Sequence, residues 1–147
     1  MRREIVFKAR RISDGKWVSG SFINREGMCF IYDTERHSEQ AVDPKTVSQY
    51  TGLRDANGFG VFENDVLQST TNKEAYGIVG WNPEGFWCIV ASRYYLLGMD
   101  FPLGTYSKTG VNEKLLANCK LAGSIWDDDV RDEFFGLLKY SKKNENI

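Results

Sequence analysis

Val42-Asp43-Pro44-Lys45-Thr46-Val47-Ser48-Gln49-Tyr50-Thr51-Gly52-Leu53-Arg54-Asp55-Ala56-Asn57-Gly58-Phe59-Gly60-Val61-Phe62-Glu63-Asn64-Asp65-Val66-Leu67 is the stretch from which the fold is read. It packs turn chemistry and β-formers more densely than any other part of the chain. Asp43-Pro44 marks a turn. Thr46 to Thr51 alternates and carries β-branched and aromatic residues, so it predicts a strand. Gly52 can end that strand with a backbone angle that other residues resist. Asp55-Ala56-Asn57-Gly58 is a tight turn whose Asp and Asn side chains bond their own backbone. Val61-Phe62 and Val66-Leu67 open new apolar segments, split by Glu63-Asn64-Asp65.

The run Thr46 to Asp55, then Gly58, then Glu63-Asn64-Asp65-Val66, resembles the core motif of the YopX family, small proteins of phages and prophages. Arg3 to Ala9 is similar to that family's opening strand and Lys16 to Ser21 to its second. Gly77-Ile78-Val79-Gly80-Trp81 and Gly123-Ser124-Ile125-Trp126 stand where its later motifs belong. One position departs: the family has glycine where this chain has Asn64. Asn tolerates left-handed backbone better than most residues, so the turn is expected to survive. The resemblance implies a phage or prophage setting in a bacterial cytoplasm, and brings no biochemical activity with it. The motif positions Gln49, Tyr50, Thr51, Gly52, Asp55, Gly58, Glu63 and Asp65 are expected to be structural.

Working outward, Glu4 to Ile12 alternates, with Ile5, Phe7 and Ala9 on one face and Lys8 and Arg10 on the other. Asp14-Gly15 favours a type I′ hairpin into a strand from Trp17 to Ile23. Asn24 to Gly27 turns again, and Met28 to Tyr32 is a third strand. Asp33 to Gln40 is polar throughout, holds the single histidine His37, and predicts a solvated loop. Ala75 to Trp81 is a strand in which Gly77 and Gly80 signal a bulge or bend. Phe86 to Ala91 is nearly all apolar, as in a strand buried on both faces. A short helix at Asn112 to Asn118, a last strand at Leu121 to Trp126 and a helix from Asp127 follow. The three acids at 127–129 suit a helix N-terminus, and Val130, Phe134, Leu137 and Leu138 form its apolar stripe.

The expected fold is therefore mostly β: twisted hairpins closing into a barrel-like sandwich, half of it similar in pattern to an SH3-like barrel, with a C-terminal helix at 128–140. A single domain over 1–147 is expected, with sub-sheets at 1–60 and 61–126. The 147 residues suffice for a core, and 41% apolar with 14% aromatic content argues against disorder. No run reaches the roughly 18 apolar residues of a membrane span. No apolar stretch of about 7–15 residues follows the charged start, so no secretory signal is expected.

Formal net charge is −1, which gives no global pull toward nucleic acid or anionic lipid. Cys29, Cys88 and Cys119 are odd in number and widely spaced, as expected of reduced structural thiols. No spacing fits a zinc site or a phosphate cradle, so no metal and no cofactor is expected. A Cys–His nucleophile would need His37 beside a thiol, and the two residue types fall in unlike segments. Glu63 and Asp65 lie two apart, and an extended backbone would project both carboxylates to one side for acid–base or metal chemistry. A surface turn explains them as well.

The functional expectation is a non-enzymatic accessory protein that acts by binding a phage or host protein. The binding candidates are Arg93, Tyr94, Tyr95, Phe101 and Tyr106, where aromatics interleave with cations. The same region also reads as a lid over the sheet. The rival readings are a nucleic-acid-binding small barrel, which adds the basic face at Lys8 and Arg10, and a carboxylate enzyme centred on Glu63 and Asp65. The first strand, with Arg2, Arg3, Lys8, Arg10 and Arg11, is expected at a sheet edge. The apolar face of the last helix is expected to exceed what one sheet covers, which implies a homo-oligomer.

Overall fold

The computed structural model describes residues 4–93 and 110–135. The chain divides into two compact units, Met1–Gly52 and Leu53–Ile147. Both are built from antiparallel strands, and the expectation of a mostly β chain with a helix near its C-terminus holds.

The first unit is a meander. Strands β1 (Phe7–Arg10), β2 (Trp17–Arg25), β3 (Met28–Asp33) and β4 (Ser38–Ala41) follow one another, and β5 (Ser48–Arg54) runs through the division between units. With β6 (Gly60–Phe62) the sheet order is β4-β3-β2-β1-β5-β6. The first strand is therefore interior, not an edge: β5 returns to pair with it, Phe7 opposite Gln49 and Lys8 opposite Ser48. Ala9, Val18, Ile31 and Val42 make the core on one face of this sheet, with Phe7 and Phe22 packed on them. Ile5, expected on that face, is 62% exposed because it precedes the strand. After β4 the chain turns back. Val42 bridges Arg11, Ile12 donates to the Ala41 carbonyl and Asp43 to that of Arg10. This is a bridge rather than a ladder, and among the described residues neither sheet closes into a barrel.

Three local expectations change. The type I′ turn is not at Asp14-Gly15, where only the glycine has positive φ, but at Glu26-Gly27, with φ 53° and 85° between paired Arg25 and Met28. Asp14 is occupied elsewhere: its carboxylate takes the Arg11 guanidinium and the Lys16 N–H. The polar run after Asp33 is a loop only to His37, and Ser38 to Ala41 is an edge strand. His37 closes that turn, donating to the Asp33 carbonyl with φ 53°. The buried Asp33 carboxylate accepts from the Glu35 and Arg36 N–H groups. The Arg36 guanidinium beside it, then those N–H groups, hold its carboxyl below the usual range. Gly52, at φ 85°, lies within β5 and does not end it.

The second unit holds β7 (Asp65–Ser69), β8 (Tyr76–Asn82), β9 (Phe86–Arg93), α1 (Glu113–Leu116) and β10 (Cys119–Ser124), with sheet order β10-β7-β8-β9. A further helix is described over 128–135. Asn112 caps α1 by accepting from the Leu115 N–H. Both faces of this sheet are covered. Val61, Leu67, Val79, Ile89 and Leu116 cluster on one side. Val66, Ile78, Ala91, Ile125 and Phe134 cluster on the other. Burial of each such Val, Leu, Ile or Phe side chain contributes about 1.5–3 kcal/mol. Phe134 is 1% exposed and Phe135 packs on the same cluster, while Leu137 and Leu138 lie outside the described residues. The bulge expected from the glycines of β8 lies in the partner strand, where Val90 is the extra residue between the pairs Ile78–Ala91 and Val79–Ile89.

The Asp55–Gly58 turn forms as read, with the Gly58 N–H donating to the Asp55 carbonyl. Gly58 has φ 85°, and nothing lies within 4 Å of where a Cβ would stand. Gly58→Val should therefore cost backbone strain alone, about 1–3 kcal/mol. A thermal melt unchanged from wild type would rule this out.

Candidate binding face

Alternation along β1, β2 and β3 sends Ala9, Val18 and Ile31 into the core and turns their neighbours outward. The outward set is Lys8 and Arg10, then Trp17, Ser19, Ser21, Ile23 and Arg25, then Met28, Phe30 and Tyr32. Register places them side by side: Arg10 opposite Trp17, Lys8 opposite Ser19, Ser21 opposite Tyr32 and Ile23 opposite Phe30. The Lys8 Nζ lies 4.9 Å and the Arg10 guanidinium 5.3 Å from the Trp17 ring centre. The Arg25 guanidinium lies 5.3 Å from the Phe30 ring centre and 3.2 Å from Glu39 Oε1. Each cation–ring contact contributes about 0.5–1 kcal/mol at an exposed site and holds its aromatic plane in place. Tyr32 is 39% and Met28 63% exposed. The result is a sheet face carrying fixed aromatic planes, an exposed flexible thioether and cations.

The sequence pointed to Lys8 and Arg10 on this face but not to Trp17, Phe30 or Tyr32. The signal was present in the outward positions of the alternating runs at 17–25 and 28–33. The binding candidates Tyr94, Tyr95, Phe101 and Tyr106 lie outside the described residues, and of Arg93 only the backbone at the end of β9 is described.

The motif positions fall where the chain is pinned. Tyr50 and Thr51 are buried in β5, and the Tyr50 N–H donates to the Val6 carbonyl. Asp55 and Asp65 are buried carboxylates that accept backbone N–H groups. Glu63 and Asp65 do not project together from an extended strand, because Asn64 between them has φ 68°. Asp65 is fully buried and Oδ2 accepts from the Phe62 N–H at 2.8 Å, while Glu63 is half-buried. Asn64 takes the left-handed angle expected of it. Its N–H donates to the Val79 carbonyl and its carbonyl accepts from Ile125.

All three cysteines are free thiols, with Cys88 and Cys119 buried. Burial pushes the Cys119 thiol up to about 11, the opposite of what a nucleophile needs. Among the described residues no three His, Cys, Asp or Glu side chains gather as a metal site, and no helix is long and apolar enough to cross a membrane.

A comparison with curated proteins finds no match. The family model described as YopX protein matches residues 6–132, which spans the meander, the pinned turns and the start of the last helix. The chain belongs to the YopX family.

Proposed function

We propose that this chain is a non-enzymatic phage or prophage accessory protein that works by binding a protein partner through the outer face of its first sheet. The observation that carries the reading is the set of Trp17 on β2 and Tyr32, Phe30 and Met28 on β3, two neighbouring strands, with Lys8 and Arg10 of β1 beside Trp17. Aromatic and methionine side chains with arginine are the composition of interface centres, and their rigid planes lose little entropy on binding.

The same face bears on the nucleic-acid reading, because cations flanking an aromatic ring can serve stacked bases. Charge decides between the two. Residues 1–52 carry nine Lys and Arg against seven Asp and Glu, an excess of only two. Arg11, Arg25, Arg36 and Lys45 each have an acidic neighbour. Phosphate-tracking surfaces need a larger uncompensated surplus, so a protein partner fits better. A barrel-like curl of the first sheet, short of closure, is part of this proposal, and the Arg11–Val42 bridge supports it. A second copy of the chain is one partner that the face could take.

The test is capture on the full chain from phage-infected host cells, with light scattering of the purified protein at micromolar concentration. Met28→Ser with Tyr32→Ser changes exposed side chains and should leave the melt close to wild type. A partner, or a dimer mass, held by wild type and lost by this variant is the expected result. Equal capture and equal mass for both proteins would overturn the proposal. So would capture of nucleic acid alone, released by salt.

A further inference from the structure

Asn57-Gly58 is the only Asn-Gly pair in the chain. In such a pair the glycine's backbone nitrogen can attack the amide carbon of the asparagine side chain, because no Cβ on the following residue stands in the way. Both residues are exposed, and nothing lies within 4 Å of where a Gly58 Cβ would be. Neither crowding nor exclusion of water therefore protects Asn57.

Hydrogen bonding does protect it. The Gly58 N–H, whose nitrogen is the nucleophile, donates to the Asp55 carbonyl at 3.0 Å. Asp55 Oδ1 accepts from the N–H groups on either side, Asn57 at 3.0 Å and Phe59 at 2.8 Å. The Arg54 guanidinium donates to the Gly58 carbonyl at 2.9 Å. Attack needs the Gly58 proton to leave, so the turn must open first. Bonds to a charged group make such an opening rare, yet it is local and does not require the unit to unfold.

We propose that Asn57 is a site of spontaneous deamidation gated by the Asp55 carboxylate. The Gly58 nitrogen bonds to Asn57 Cγ and the Cγ–Nδ2 bond breaks. Ammonia leaves with the Gly58 amide proton, and a five-membered imide remains. Water then opens either C–N bond of the imide. Opening at Cγ gives aspartate, and opening at the backbone carbon gives isoaspartate, whose main chain runs through the side-chain carbon. The balance is one water consumed and one ammonia released. Either product places a second carboxylate beside that of Asp55. Isoaspartate also lengthens the backbone by one carbon between the Asn57 and Phe59 donors, which spoils the fit of both to one oxygen. Asp55 Oδ2 holds the Leu121 N–H, so conversion loosens the tie between this turn and β10. This site is separate from the sheet face of the preceding proposal and does not depend on it.

The test is to age the full chain in mildly alkaline buffer made with heavy-oxygen water, then digest it with trypsin. Cleavage after Arg54 and Lys73 puts Asn57, Asn64 and Asn72 in one peptide, where fragmentation locates the label. In the chain held unfolded by guanidinium, label should enter first at position 57. In the folded chain that rate should be at least about tenfold lower. Asp55→Ala should recover most of the difference. Gly80→Ala is the control, because it strains the same unit from inside the sheet, where a Cβ would stand 2.4 Å from Val90 Cγ1. It should leave position 57 close to the wild-type rate. Aged wild type should also lose protection at the Leu121 amide. Equal rates at position 57 in the folded and unfolded chain would overturn the proposal. So would earlier labelling at Asn64 or Asn72 in the unfolded chain, no gain in Asp55→Ala, or an equal gain in Gly80→Ala.

Discussion

Gly20→Ala should destabilise the first unit by about 3–5 kcal/mol, the sum of a clash inside a packed sheet and a disfavoured backbone angle. A Cβ at this position would stand 1.8 Å from the Tyr32 carbonyl oxygen and 3.0 Å from its carbon, with φ at +155°. The neighbour is backbone, so no rotamer change relieves it. Nor can the strand step aside, because Gly20 is paired on both flanks, with Phe7 in β1 and Asp33 in β3. A loss of this size is a large share of the roughly 5–15 kcal/mol by which domains are stable. Gly27→Ala separates the causes. Gly27 also has positive φ, at 85°, but nothing lies within 4 Å of its absent Cβ, so only strain of about 1–2 kcal/mol is expected. Urea denaturation of the two variants checks the argument. Equal midpoints for Gly20→Ala and Gly27→Ala would show that the close approach to Tyr32 does not matter. Tyr32 also lies on the proposed binding face, so Gly20→Ala should weaken partner capture as well.

What the sequence revealed follows from which forces are local. The Asp55–Gly58 turn was legible because an Asx turn needs only neighbours in the chain, and Asn64 was legible for the same reason. Strand identities in the apolar runs were legible from alternation. The strand at Ser38–Ala41 was not, since a hydrophobic pattern cannot register an edge strand made of Ser, Glu, Gln and Ala. The place of the first strand was not legible either. Sequence order says nothing of a later strand's return, and it is β5, forty residues on, that removes β1 from the edge. The carboxylate pair at Glu63 and Asp65 failed for a conformational reason: the spacing argument assumed extended backbone, and Asn64 breaks it. For the proposed face, each aromatic sat in a strand that was recognised, but only the register across strands joins Trp17, Tyr32 and Phe30 into one surface.

Asp55→Ala should be as costly as the Gly20 change, about 3–5 kcal/mol, and for the opposite reason: it removes atoms that three donors need. Oδ1 accepts from the Asn57 N–H at 3.0 Å and the Phe59 N–H at 2.8 Å, and Oδ2 from the Leu121 N–H at 2.7 Å. The residue is 7% exposed, so water cannot readily replace the carboxylate. Each orphaned donor costs about 1–3 kcal/mol, and the three are coupled through one side chain, so the total falls below their sum. The bond to Leu121 does more than the two local ones. It ties the β5–β6 turn to the last strand, 66 residues away, and the Ala56 N–H to the Cys119 carbonyl lies beside it. Asp55→Asn divides the effect. Its amide keeps one acceptor oxygen and presents an NH₂ to a backbone N–H, so it can serve the turn or Leu121 but not both. A loss near half that of alanine is expected. Hydrogen exchange reads the clamp directly: protection of the Leu121 amide should collapse in Asp55→Ala while amides in β2 and β3 keep theirs at low denaturant. If Leu121 stays as protected as in wild type and the unfolding midpoint does not move, the carboxylate is not what holds β10 to the turn.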